Sequence, residues 1–355
     1  MHSSFNYMTK HQNNIFSIMK GIAIIAVVIG HCSINYVEGF VNQFHLATFY
    51  FLAGYFFKTE YVSEPWIFIK KRINRLYIPF ILYGTSFLLL HNIFCKLGLY
   101  SAYIYTWKEI IQKELYMIIR FSSNEPFMGA MWFLGSLFVV SVIFLLLFKI
   151  ASYSKKANNI IRALGTIVLY ISGYYALKHN IPNVYGIFNA FILIAILYCG
   201  YLFRQYKIFE KFINNKIALA CTATALILYI SGITIRLQPQ FIVNNNSLLF
   251  LLISINGVIM VYGISKLLYK TIFGKIIAIC GDLSFEIMAL HFICFKLITI
   301  LHIYIEGADF EHLRDFPVYS KNLILWSPLY VIAGVFIPIL LTFAVKIIKS
   351  HIYKC

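Results

Sequence analysis

Apolar runs recur along the whole chain, separated by short polar stretches. They lie near 18–37, 44–57, 76–94, 131–150, 160–178, 184–203, 217–235, 247–269, 283–304 and 323–346. A helix of ~20 residues crosses a hydrocarbon layer of ~30 Å at 1.5 Å per residue. Most of the runs meet that length. The second is shorter, with only Phe44 to Phe57 clearly apolar, and needs tilt or snorkelling polar flanks to reach across. The pattern predicts an all-α fold: a polytopic transmembrane helical bundle of about ten spans. No internal repeat, heptad array or separate soluble domain is visible, so residues 1–355 read as a single integral membrane domain.

Two polar segments stand out between runs. Residues 95–130 contain Trp107 to Arg120, where Ile111, Leu115 and Ile118 fall at helical spacing with charges opposite. This pattern predicts an outer loop carrying an amphipathic surface helix. Residues 305–322 hold Glu306, Asp309, Glu311 and Asp315 and read as an outer acidic loop.

Charge fixes a direction. Lys and Arg collect in alternate loops: Lys58 and Lys70 to Arg75, then Lys149 to Arg162, then Arg204 to Lys216, then Lys266 to Lys275, with Lys346, Lys349 and Lys354 near the end. The other loops, with residues such as Lys96, Arg120, Arg236 and Lys321, carry roughly half as many. Basic loops stay inside, so both termini are expected to be cytoplasmic.

Composition agrees. Hydrophobic residues make up 61% of the 355, charged ones 12%, and mean hydropathy is +0.78. A soluble chain could not cover so much apolar surface with so few charges. The net charge of +17 would suit nucleic acid, but the cations sit in short loops and form no basic stripe, so nucleic-acid binding is rejected. Seven cysteines occur without a C-x-x-C spacing, which argues against a disulfide framework or a metal site. The first run lacks a small-residue cleavage site and reads as a retained span.

Ionisable residues inside spans are costly and are functional candidates by default. Lys20 and His31 are eleven residues apart, about three turns, so they share a helix face ~16 Å apart along the axis. With Lys20 at the inner interface, His31 lies near mid-membrane. A neutral imidazole there suits a general base, and Lys20 suits an anionic group. The plainer alternative is a snorkelling Lys20 and a His31 that joins two helices. His45 opens the next run and enters from the other side near the depth of His31; an interfacial histidine is the alternative.

Arg72 and Arg75 are three apart and share a face, a spacing that suits phosphate through forked donors. A positive-inside anchor explains the charge but not the choice of Arg. Trp132, in Trp132-Phe-Leu, fits either an aromatic belt or stacking on a substrate. Glu125 and His91 are nearby candidates. Asp282, Glu286 and His291 in the ninth run are expected to partner other polar groups, and Lys296 and His302 to approach the outer surface.

Together these residues resemble acyltransferase family 3, the multi-pass bacterial O-acyltransferases, and more narrowly the fucose 4-O-acetylase-like branch. Lys20 and His31 match that family's Arg/Lys–ten residues–His element. Phe44 to Tyr55 match its Phe-His…Gly-Tyr span in outline. Arg72, Arg75 and Pro79 match its Arg-x-x-Arg before a span beginning near Pro. Trp132-Phe-Leu matches its Trp-Phe-Leu, and Gly281 to His291 its Gly-x-x-Ser…His. The chain departs at Ser17, where relatives often have an acid, at Leu46-Ala47 in place of Met-Pro, and at Ala53 in place of Ser.

The resemblance implies transfer of an acyl group, usually acetyl, from cytoplasmic acyl-CoA to a hydroxyl of a surface or exported glycan or lipid-linked sugar, in the bacterial inner membrane and in contact with membrane lipid. Acetyl-CoA is then the donor co-substrate and no metal is needed. Lys20, Arg72 and Arg75 would bind its phosphates, His31 with His45 would be catalytic, and Trp132 and Glu125 would contact the acceptor. Direct attack and an acyl-histidine intermediate both fit. A glycan flippase, transporter or export component is the competing class, against which the missing repeat counts. A glycan polymerase should carry a larger outer loop with Arg clusters.

Overall fold

A computed structural model describes residues 10–233, 235 and 247–352. The expectations for Arg236, Lys354 and the first nine residues lie outside them. The fold is 80% helical, with no strand among the described residues. Among the described residues, seven helices are long and apolar enough to cross a membrane, and two shorter apolar stretches lie at Asn14–Gly30 and Asn215–Ile230.

In chain order the helices are α1 Lys10–Gly30, α2 Asn35–Val41, α3 His45–Tyr55, α4 Pro65–Arg72, α5 Ile78–Lys96, α6 Trp107–Arg120, α7 Trp132–Ser152 and α8 Asn158–Lys178. Then follow α9 Ile187–Gln205, α10 Ile208–Lys211, α11 Asn215–Ile230, α12 Ser247–Leu268, α13 Ile272–Asp282, α14 Ser284–Glu306 and α15 Leu323–Ile352. An apolar helix is found at each of the ten expected places. Their lengths differ from the expectation in ways that shape the interior.

The first run ends early. α1 stops at Gly30, and the chain turns through His31 to Ser33, whose φ is +58°. The short α2 follows. α3 has only 11 residues, which at 1.5 Å each cannot cross a bilayer alone. The polar stretch Glu38 to Gln43 is the cause, since it is held inside: Gln43 is fully buried and its side-chain Nε2 donates to the Ala225 carbonyl at 3.2 Å.

The third run is longer than its apolar core. Pro65–Lys96 forms one continuous helix of 32 residues. Pro79 cannot donate to the Arg75 carbonyl, and its ring crowds that turn. The helix widens into a π turn over Ile73–Tyr77 just before it. The basic residues 70–75 therefore lie on a helix rather than in a loop.

α13 had no counterpart among the expected spans. It crosses α1 in backbone contact: a Cβ on Gly21 would lie 1.9 Å from the Ile277 carbonyl oxygen, and one on Gly281 would lie 1.8 Å from that of Ser17. Gly54 and Gly200 bring α3 and α9 together in the same way. At the first crossing Ser17 Oγ donates to Asp282 Oδ1 at 2.7 Å, and Lys20 Nζ lies 3.5 Å from the same atom.

The amphipathic helix is present as α6. Thr106 and Glu109 form a reciprocal capping box at its start. It lies along α5 and antiparallel to it, since Asn92 pairs with Tyr105, Thr85 with Glu114, and Tyr77 with Ile118. The face laid on α5 carries the buried Ile110 and Met117, whereas Ile111, Leu115 and Ile118, the face expected from the helical period, are exposed.

Lys296 and His302 are both buried. Residues 307–322 fold back over α14, so that Lys296 Nζ donates to the carbonyls of Leu313 and Asp315. His302 stacks on Trp326 with ring centroids 4.3 Å apart.

Candidate active site

His31 follows the last residue of α1 and still donates its backbone N–H to the Val27 carbonyl at 3.2 Å. Its side chain lines a cavity of about 300 Å³ together with Glu38, His45, Arg75 and Trp132. Apolar side chains such as Ile24, Val27, Leu134 and Met288 complete the wall. A mostly apolar cavity with a few converging polar groups is the usual form of a ligand site.

His291, on α14, is fully buried behind His31. Its Nδ1 lies 3.1 Å and 3.0 Å from the carbonyls of Ile287 and Met288, which can only accept. Nδ1 therefore carries a proton, and in the neutral ring Nε2 is an acceptor. That Nε2 lies 3.1 Å from His31 Nδ1, which must be the donor. The two rings are 21° from coplanar with centroids 5.0 Å apart, as for rings joined edge to edge by an N–H···N bond. The chain of bonds fixes the tautomer of His31 and leaves its Nε2 with a lone pair. No protein partner for Nε2 is found among the described residues. This is the arrangement of a base held by a second group.

His45 sits at the start of α3. Its Nδ1 donates to the Val41 carbonyl at 2.7 Å, which again leaves Nε2 as the acceptor nitrogen. The turn between α1 and α3 thus brings His31 and His45 to one cavity. Glu38 reaches it from α2, and the Asn42 amide is 3.4 Å from Glu38 Oε1.

A second cavity, of about 400 Å³, carries the cations. Lys20, Lys71, Arg72 and Arg75 line it, with Tyr61 and Phe68. The Arg72 guanidinium lies over the Phe68 ring at 4.9 Å, and Lys71 Nζ donates to the Tyr61 hydroxyl at 3.0 Å. This cavity shares Phe49, Arg75 and Leu137 with the histidine cavity, so the two adjoin. Arg75 lies in the π turn and, among the described residues, is the only charged one on both walls.

The structure thus brings Lys20, Arg72 and Arg75 together in one cavity, and His31, His45 and Trp132 together in its neighbour. Trp132 stands at the start of α7 with 44% of its surface exposed. Glu125 lies apart from these walls. It is buried against His91, with Oε2 2.8 Å from the ring Nδ1, while the His91 Nε2 faces the Tyr103 carbonyl at 3.1 Å. The His91 ring also stacks on Tyr105, with centroids 3.5 Å apart. Burial raises the Glu125 carboxyl above the ordinary carboxylate range, and the bond from His91 opposes that shift. Here Glu125 pins the segment after α6 onto α5.

Sequence reasoning missed Glu38 and Lys71 as wall residues. Glu38 had a usable signal, an acidic residue seven positions after His31 at the end of the first apolar run. His291 was read as a partner of some polar group, without its partner being named.

The acyltransferase domain profile of family 3 matches residues 13–343. The chain belongs to the acyltransferase 3 family. No curated protein and no solved structure matches it. The match covers every residue of both cavities. The chain is therefore a membrane acyltransferase by family.

Proposed function

We propose that this protein is an O-acetyltransferase of the bacterial inner membrane, close to the fucose 4-O-acetylase-like branch of its family. It takes acetyl from cytoplasmic acetyl-CoA and places it on a hydroxyl of a surface or exported glycan, polymeric or lipid-linked. The chain crosses the membrane ten times with both termini in the cytoplasm.

One observation carries this reading: the cationic cavity adjoins the histidine cavity through Arg75. Coenzyme A has phosphates at one end and a thioester at the other. Lys20, Lys71 and Arg72 suit the phosphates, by charge and by the fork of the guanidinium. The pantetheine arm then runs past Phe49 and Leu137, and Arg75 stands where the thioester enters.

His31 Nε2 takes the proton of the acceptor hydroxyl. The oxygen attacks the thioester carbonyl carbon, a C–O bond forms, and the C–S bond breaks as the tetrahedral intermediate collapses. The coenzyme A thiolate leaves with the proton returned from His31. His291 keeps His31 in the required tautomer while positive charge develops on its ring. His45 orients the hydroxyl through its free Nε2. Direct transfer suits a site in which both substrates reach one histidine.

Membranes carrying the protein and given radiolabelled acetyl-CoA should move label into their glycan fraction. Label no greater than in His31→Ala membranes with equal protein would contradict the reading.

A further inference from the structure

A third cavity, of about 660 Å³, adjoins the histidine cavity at Trp132. It is bounded by the π turn, the end of α6, the start of α7, and the turn and first residues of α9. Trp132 lines both this cavity and the histidine cavity, and no other residue does. The cationic cavity does not include Trp132. The third cavity thus meets the histidine cavity at Trp132, while the cationic cavity meets it at Phe49, Arg75 and Leu137.

The wall of this third cavity has a particular chemistry. Tyr116, Tyr185 and Trp132 give it aromatic faces. Tyr185 lies in the left-handed region, with φ 54° and ψ 17°, a conformation uncommon for a bulky residue. The guanidinium of Arg120 covers its ring at 5.4 Å. Between the aromatics stand short neutral polar groups. Asn183 Nδ2 donates to Asn189 Oδ1 at 3.1 Å, and Asn183 Oδ1 accepts the Phe188 N–H at 3.0 Å. Asn183 is thereby held, and it orients Asn189 so that the Nδ2 of Asn189 is left without a protein partner among the described residues. Ser136 Oγ accepts from the Tyr50 hydroxyl at 2.8 Å and still has its own proton to give. Apart from Arg120 no charged side chain among the described residues lines the cavity.

Aromatic faces with amide and hydroxyl donors match a pyranose ring, whose C–H faces stack and whose hydroxyls accept. An acyl tail would need none of the polar groups, and a nucleotide would need more cations.

We infer that the cavity between Tyr116, Tyr185, Asn189 and Trp132 is the saccharide subsite of the acceptor, delivering its hydroxyl past Trp132 to His31. This rests on the glycan acetyltransferase reading and adds to it where the sugar binds and which residues choose it. Trp132 stacks on the ring nearest the reaction, while Tyr185 and Asn189 hold the ring behind it.

The test uses the full chain in lipid nanodiscs and saturation-transfer NMR. The probes are methyl β-D-glucopyranoside and methyl β-D-galactopyranoside, with coenzyme A and 1-hexanol measured in parallel and empty nanodiscs subtracted. Sugar-ring protons should be saturated by the wild type. Tyr185→Ala and Asn189→Ala should each reduce that signal roughly fivefold, as expected for one lost stacking or hydrogen-bonding contact. Coenzyme A saturation should stay within about twofold of wild type, which also shows that the variants fold. No sugar saturation by the wild type overturns the inference, as does sugar saturation unchanged in both variants. Hexanol saturation lost in the variants without any sugar signal would assign the cavity to an apolar chain and also overturn it. Failure of wild-type protein to bind coenzyme A would instead count against the donor in the parent reading.

Discussion

His31 and His291 are 260 positions apart and meet through a 3.1 Å bond from His31 Nδ1 to His291 Nε2. The carbonyls behind His291 decide the direction of that bond, and so the protonation of both rings. Removing the acceptor should release the His31 tautomer. His291→Ala should lower kcat by about 10²-fold or more with little change in donor KM. His291→Gln keeps an acceptor oxygen and should recover part of the loss. A Gln variant no better than Ala would mean that His291 only fills space.

The cationic cavity predicts a different split. Arg72→Ala should raise the acetyl-CoA KM roughly 10- to 100-fold, the loss of a charge-assisted hydrogen bond worth about 1.5–3 kcal/mol. Its kcat should change less. Arg75→Ala should affect both parameters, because Arg75 lines both cavities. Steady-state kinetics at varied acetyl-CoA checks both, and an unchanged donor KM in Arg72→Ala would remove the phosphate role.

The α1–α13 crossing has no room for side chains. Gly281→Val should cost about 1–3 kcal/mol, because the atom in the way is the Ser17 backbone oxygen, which cannot rotate aside. Activity should fall with it, since the same crossing sets Lys20 and the start of α14. Thermal unfolding of the purified protein reads the first effect. A variant as stable as wild type would mean the helices are further apart than described.

How the chain reads as a sequence explains these choices. Lys20, His31, Arg72 and Arg75 were legible because charge in an apolar run is unusual and helical spacing shows which residues share a face. Trp132 was legible from its place at the start of a run. The short α3 was signalled by the polar residues before it. The partner of His31 was not legible, since hydropathy gives no contact between distant helices. α13 was hidden because an apolar stretch of 11 residues does not stand out beside longer spans. The period of α6 picked out Ile111, Leu115 and Ile118, which stay exposed, because an apolar pattern in a half-apolar helix does not say that α5 covers Ile110 and Met117 instead. Glu125 lay close in sequence to Trp132, yet the turn between them sends its side chain to His91.

Glu125 makes a pH prediction. Its carboxyl is raised in the folded protein, chiefly by burial. A carboxyl raised by folding adds stability below its unfolded pKa, and that contribution is lost as pH rises through the folded pKa. The melting temperature of wild type relative to Glu125→Gln should therefore be highest at acid pH, and the difference should shrink as pH rises above the ordinary carboxylate range. A difference that grows with pH would mean that the charged pair with His91 dominates.

The central claim is that His31 Nε2 accepts the proton of the acceptor hydroxyl. The most direct measurement is acetyl transfer by purified His31→Ala protein in nanodiscs, alongside its affinity for coenzyme A. Transfer should fall by about 10²–10⁴-fold while coenzyme A binding stays within about twofold of wild type. Transfer at the wild-type rate, with coenzyme A bound, would contradict the account.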